Sequence, residues 1–214
     1  MDLNIKDFNL PEDLEGYTKK LKEFTEKELY PLGEEIDDNN RVPERFLPML
    51  SRAGLLSLRV PKEYGGSGLS FTQFWPILAL VAKAQGTIRM SVHGHNGIWT
   101  MIGHHGTEEQ KKKYLPLWAK GSGFPVFAFT EPERGTGLDI GTTATREGNV
   151  YKLNGFKHLI TWPDIGFIHH VVAYTGDRSL RSKGISMILV EPNTPGLTIE
   201  PHKEFMGIKG CYHG

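Results

Sequence analysis

A chain of 214 residues with 25 Lys and Arg against 25 Asp and Glu is long enough for a sizeable core in one or two domains. It carries no net field that would gather nucleic acid or an anionic membrane. Its single cysteine, Cys211, excludes an internal disulfide and a four-Cys metal cluster within one chain.

The opening MDLNIKDFNL has acids where an export or transit peptide carries basic charge. The longest apolar runs, such as PILALVA around Leu78, fall far short of the ~20 residues that span a bilayer. The expectation is a soluble protein of a reducing compartment, cytoplasmic or, if eukaryotic and already processed, in the mitochondrial matrix.

In chain order, Pro11 opens a segment whose Leu14, Tyr17, Leu21 and Phe24 recur at helical spacing, and Pro31 is expected to close it. A second helix is predicted from near Pro43 to Gly54. Ser70 to Gly86 has a capping hydroxyl at its start and a glycine suited to a left-handed C-terminal residue. Another helix is predicted from Ile88 to Ile102, and Thr107 to Gln110 spells a capping box. Near Gly121 the period changes. FPVFAFT, TTATREG, NVYKL, FKHLIT, FIHHVVAY and GISMILV are short runs rich in β-branched and aromatic residues, and Asn154-Gly155 suits a hairpin turn. The predicted fold class is α+β: an all-α domain over 1–120, then an antiparallel β-barrel or sandwich domain over 121–214.

Three stretches draw attention beyond their elements. VPKEYGGSGLS, Val60 to Ser70, reads as a glycine-rich loop joining helices, and GTEEQKKKYLPLWAKG as a capped helix with a solvated lysine face. FAFTEPERGTG, Phe127 to Gly137, is a strand entering a loop whose backbone N–H groups are free to meet an anion or a polar ring. No Gly-Lys-Ser/Thr follows it, and no helix, so neither a phosphate loop nor a dinucleotide fingerprint is present. Nine histidines include His93 and His95, His104-His105 and His169-His170. On a helix such pairs do not converge on one ion, so no metal site is expected.

Taken together, VPKEYGGSGLS, GTEEQKKKYLP, TEP, YKLNGFKHLIT and TPGLTIEPHKEFMGIKG, in this order and spacing, resemble the signature blocks of the acyl-CoA dehydrogenase family. The resemblance covers most of the chain after the first few tens of residues, corresponding to that family's N-terminal helical domain and middle β-domain. It implies FAD as cofactor and an acyl-CoA thioester as substrate, with dehydrogenation between the α and β carbons. It also implies an electron-transfer flavoprotein or similar acceptor as partner, and a homo- or hetero-oligomer. By resemblance, Phe127, Ala128 and Phe129 lie along the flavin, Thr130 meets the pyrimidine side of the ring, and Thr161, with Leu159 and Ile160, lies near N5. Gly135 and Thr136 match residues that contact the pantetheine of CoA, and His93 and Gly97 fall on the helix lining the far end of the acyl pocket.

Two departures stand out. Leu159 replaces the tryptophan that relatives use as an aromatic shield, while Trp162 is expected on the opposite strand face. After TEP the family's Gly-Ala-Gly-Ser-Asp is replaced by Glu133-Arg134-Gly135-Thr136-Gly137, which makes Arg134 unexpected. The family's base is a glutamate from a C-terminal helical bundle, so no residue here is expected to be the catalytic base. Glu131, in TEP, corresponds to a structural position. The alternatives are a non-catalytic cofactor- or thioester-binding subunit and a flavin monooxygenase of the same fold.

Overall fold

The computed structural model describes residues 12–134, 137–200 and 208–214. The chain forms two compact units, residues 1–122 with 205–211 and residues 123–204 with 212–214. Pro11 lies outside the described residues.

The first unit is helical. Helix α1 (Glu12–Phe24) runs through a π turn (Thr25–Leu29) into α2 (Tyr30–Asn39). Pro31 does not end the helix as expected. It sits in the first turn of α2, where the wider π turn has already interrupted the i→i−4 ladder and the missing N–H leaves no acceptor stranded. Asn40, at φ 47°, ends α2 in the left-handed region that asparagine tolerates. Helix α3 (Phe46–Arg52) follows, and Gly54 turns the chain with φ 72°.

The Val60–Ser70 loop doubles back on itself. Ser67 N–H donates to Ser57 O (2.9 Å), Gly68 N–H to Val60 O (2.9 Å) and Leu69 N–H to Leu58 O (2.8 Å). At Gly66 a Cβ would stand 2.0 Å from the Val60 carbonyl oxygen, so the fold of this loop requires glycine there.

Helix α4 (Phe71–Ala82) and helix α6 (Glu108–Ala119) both begin with complete capping boxes, Ser70/Gln73 and Thr107/Gln110. Between them α5 runs from Gly86 to His105 and is capped by the Gln85 side chain. Gly86 is therefore the first residue of α5; α4 ends earlier, at Lys83 in right-handed geometry. Leu29, Ile36, Leu50, Val60, Ile77, Val81, Ile88, Val92 and Trp118 form a fully buried core. Trp118 Nε1 donates to His95 O (2.9 Å), which satisfies the indole inside that core. Residues 208–211 return to this unit: Thr87 Oγ1 donates to Lys209 O (2.7 Å) and Gly210 N–H to Asn40 Oδ1 (3.1 Å).

The second unit is a sheet of β1 (Phe124–Ala128), β2 (Thr143–Glu147), β3 (Val150–Asn154), β4 (Gly166–Tyr174) and β5 (Ile185–Val190). Strand β4 is its centre and is buried along almost its whole length, which explains why FIHHVVAY shows no period-two alternation. β5 pairs with β4 antiparallel, from His169↔Val190 to Tyr174↔Ile185. β1 runs parallel to β4, from Phe124↔Gly166 to Ala128↔Val171, and β2 meets its far end in parallel at Thr143↔Tyr174. The α+β class holds, helices first and β-domain second, but the sheet is mixed where an antiparallel one was expected. The long connection 129–165 brings the chain back to the same end, and a parallel pair needs such a return.

Two local expectations are corrected. The hairpin turn is at Gly148-Asn149, between Glu147↔Val150, with Gly148 at φ 63°, and not at Asn154-Gly155. Gly155 instead lies against Thr142, whose Oγ1 a Cβ would meet at 2.3 Å. FKHLIT is not a regular strand, because Leu159 (φ 58°) and Trp162 (φ 45°) take left-handed backbone that breaks pleating on either side of the single bridge Thr161↔His213.

Candidate functional site

In the sheet unit, the residues singled out by sequence lie on two segments that the structure joins. Strand β1 continues into Phe129–Glu131, and beside it runs Lys157–Trp162. His158 N–H donates to Thr130 O (2.9 Å), and Lys157 Nζ donates both to Phe129 O (2.9 Å) and to Glu131 Oε1 (2.8 Å).

Glu131 is the buried anchor of this junction. Its Oε1 also accepts from Thr142 N–H (3.0 Å) and Thr142 Oγ1 (2.5 Å), and its Oε2 accepts from Gly141 N–H. Burial alone pushes this carboxyl up, but the hydrogen bonds from Lys157, Thr142 and Gly141 outweigh it and hold the group at about 2. A carboxylate so weakly basic, with both oxygens engaged, fits a structural role. Its partners Lys157 and Thr142 were not singled out by sequence; the only signal was an acid placed at the end of an apolar strand.

The aromatic pair Phe127 and Phe129 turns its rings inward. Their centroids are 5.8 Å apart, and both pack against Ile140, Val172 and Tyr174 with Ile185. Ala128 between them is buried in register with Val171. What this strand end offers a ligand is therefore its backbone and the Thr130 side chain. Across from it, Ile160 is buried and exchanges two backbone hydrogen bonds with Gly214, N–H to O at 2.8 and 2.9 Å. Thr161 is half-buried, and Leu159 is exposed. Among the described residues, the hydroxyls of Thr130 and Thr161 form no hydrogen bond. Trp162, expected on an opposite strand face, is instead wholly buried edge-on to Phe124, with centroids 4.8 Å apart.

The loop after Glu131 is closed by Arg134, whose Nη1 donates to Asp139 O (2.9 Å) and pairs with the Asp139 carboxylate (3.2 Å), both side chains exposed. Gly135 and Thr136 lie outside the described residues.

In the helical unit, His93 and Gly97 are both half-buried and one turn apart on α5. A Cβ on Gly97 would meet nothing within 4 Å, so open space lies beside that turn. Burial, then the charges of Arg89 and Arg59, lowers the His93 pKa, so the imidazole is neutral near pH 7.

The paired histidines serve the sheet. His169 Nε2 lies 2.8 Å from Pro163 O and His170 Nδ1 2.9 Å from Val126 O, and burial pushes His170 down to about 4. Among the described residues no group of three His, Cys, Asp or Glu is placed to hold a metal ion, and no helix is long and apolar enough to cross a membrane.

Comparison with known proteins places this arrangement. Residues 11–122 match the family profile for the acyl-CoA dehydrogenase N-terminal domain, and residues 126–214 the profile for the acyl-CoA dehydrogenase middle domain. The chain is 34% identical over 207 residues to the short-chain specific acyl-CoA dehydrogenase of Clostridium acetobutylicum, covering 95% of this chain and 54% of that protein. Among solved structures it is similar to the acyl-CoA dehydrogenase from Geobacillus kaustophilus, with TM-score 0.88, 28% identity and 96% and 55% of the two chains covered. It is also similar to butyryl-CoA dehydrogenase from Megasphaera elsdenii, with TM-score 0.85, 28% identity and 100% and 56% covered. The chain spans about half the length of these relatives. With both domain profiles matched in order across nearly all of its residues, the chain belongs to the acyl-CoA dehydrogenase family.

Proposed function

We propose that this chain supplies the flavin contacts and one edge of the CoA-thioester site for FAD-dependent α,β-dehydrogenation of an acyl-CoA. The observation that carries this reading is the pair of hydroxyls, Thr130 and Thr161, which form no hydrogen bond among the described residues and lie on two segments tied together by Thr130 O and Lys157. A threonine hydroxyl both donates and accepts, so it serves either redox state of a flavin ring edge. A bound FAD supplies the acceptor for the hydride leaving the β carbon. Phe127–Phe129 contribute a rigid backbone edge because their rings are fixed in the core, and Ile160 holds Thr161 in place through its paired bonds to Gly214. Gly135 and Thr136 are assigned to the pantetheine, and His93 and Gly97 to the far end of the acyl group. No carboxylate of this chain is assigned as the base. An electron-transfer flavoprotein is the proposed acceptor, and an oligomer the proposed assembly.

Anaerobic mixing of butanoyl-CoA with the flavin-loaded protein, assembled with the polypeptide segment that supplies the base, tests the reading. Thr161→Val should leave stability within about 0.5 kcal/mol of wild type, since its hydroxyl has no partner to lose among the described residues, yet slow flavin bleaching about tenfold through one lost hydrogen bond. Unchanged bleaching would remove Thr161 from the site. Failure of that wild-type assembly to take up FAD would refute the cofactor assignment altogether.

The acyl end is tested separately. A half-buried imidazole favours an acyl tail with a polar or carboxylated end over a plain alkyl one, because the buried polar group needs a partner. His93→Leu should move the ratio of affinities for plain over polar-ended thioesters upward by about tenfold. An unaltered profile would contradict the placement.

A further inference from the structure

The central strand β4 carries two adjacent histidines, which alternation sends to opposite faces of the sheet. His170 is wholly buried, in register with Phe127 on β1 and Leu189 on β5, and its Nδ1 lies 2.9 Å from Val126 O. A carbonyl oxygen can only accept, so Nδ1 carries the proton of the neutral ring. The side chain thus adds a bond across the β1–β4 junction to those of the ladder. That junction is the weaker of the two that flank β4. β1 meets β4 in parallel, its Pro125 has no N–H to give, and the register slips between Phe124 and Pro125, whereas β5 meets β4 antiparallel in unbroken register.

In acid the buried ring must take a second proton, and its surroundings resist one. β1 and β5 carry no titratable side chain to balance the charge. On β4 itself His169 opposes the second proton, and the Tyr174 hydroxyl is committed to Leu138 O; after β1, Glu131 is engaged by Lys157. Burial outweighs the bond to Val126 O and, with His169, holds the ring at about 4, below its ordinary 6.5. The neutral ring's contribution to stability is therefore complete above 6.5 and is lost as pH falls from there through about 4. Glu131 contributes fully until pH falls below 4.5, so the two windows are separate.

We propose that His170 is an acid-sensitive lock on β1: a second proton on its ring releases β1 from β4, and with β1 the edge that continues through Phe129 and Thr130. The lock stands on the sheet alone. Its consequence, that acid loosens the hold on FAD, rests on the flavin reading above.

The test has two arms. In the first, amide hydrogen exchange of the full chain is followed by NMR at about pH 7.5 and about pH 4.5, for wild type and for His170→Asn, whose amide keeps a donor for Val126 O and takes up no proton. Protection at Val126, Phe127 and Ala128 should fall about a hundredfold in wild type, as the gap between the two pKa values requires, and much less in His170→Asn. Ser186 to Leu189 on β5 should keep theirs. His93, also held low, titrates in both proteins and cancels from the comparison. Equal losses in the two proteins, or equal losses on β1 and β5, overturn the lock. If His170→Asn fails to give the dispersed spectrum of a folded chain, the wild-type ring decides by its nitrogen shifts: it should stay neutral until β1 protection falls, and a ring that charges with β1 protection intact overturns the lock. In the second arm, flavin fluorescence follows FAD release from the flavin-loaded protein, assembled with the segment that supplies the base. Release at about pH 4.5 should be about tenfold or more faster in wild type than in His170→Asn. Loss of β1 protection with FAD retained supports the lock and refutes its tie to the flavin edge. Failure of the wild-type assembly to bind FAD at about pH 7.5, with the exchange result as expected, supports the lock and refutes the flavin reading instead.

Discussion

Glu131→Ala is expected to destabilise the protein by about 3–5 kcal/mol, because it leaves a buried ammonium and three buried donors without their acceptor. The stranded groups are Lys157 Nζ, the N–H of Gly141, and the N–H and hydroxyl of Thr142. Only Phe129 O remains for the ammonium. Urea unfolding of the two proteins measures the loss. The pH dependence carries a second signature. The folded carboxyl sits at about 2, below its ordinary value of 4.5, so its stabilising contribution is complete above that ordinary value and is lost as pH falls through about 2. Wild-type stability should therefore decline across that acidic window more steeply than that of Glu131→Ala. A loss under about 1 kcal/mol with parallel acid slopes would mean the network is exposed to water and does not hold the two segments together. The functional consequence follows from the same bonds: Lys157 ties Phe129 to Glu131, so FAD retention should fall with stability even though Glu131 itself faces Gly141 and Thr142.

Trp162→Ala should cost about 3–5 kcal/mol, the range for deleting a large buried aromatic. The ring is fully buried against Phe124, and the Trp162 N–H donates to Tyr212 O (2.6 Å), next to the bridge that holds Thr161 opposite His213. Trp162→Phe, which keeps an aromatic edge for Phe124, should lose about 1–2 kcal/mol. Amide exchange at Ile160 and Gly214 should quicken in the alanine variant, since those paired bonds depend on the same segment. If the tryptophan were a cofactor shield, its removal would leave stability near wild type and alter flavin absorbance alone. The two roles are thus separable in one set of measurements.

Several features of this chain were legible in its residues because their causes are local. The capping box at Thr107 needs only a hydroxyl and a glutamine three residues on and formed as read, and the capping hydroxyl read at Ser70 is completed into a second box by Gln73. The change of period near Gly121 marks the passage from helices to strands, because side-chain periodicity is a property of each element by itself. The signature blocks carried the family, and with it the candidate residues Phe127 to Thr130 and Leu159 to Thr161.

What the tertiary structure decided depended on residues far apart in the chain. That β1 lies parallel to β4 is set by the path of 129–165, and no local pattern specifies which way a strand is met. The sequence could not tell that Pro31 lies in the first turn of a helix, since no residue pattern marks the π turn that precedes it. It could not place Trp162 in the core, because left-handed backbone at Leu159 and Trp162 overrides the alternation that period-two reading assumes. Nor does any spacing join Arg59 to Asn96, 37 residues later, or Glu131 to Lys157, 26 residues later. In both cases polar groups drawn wholly or partly out of water found their partners only when folding brought distant residues together.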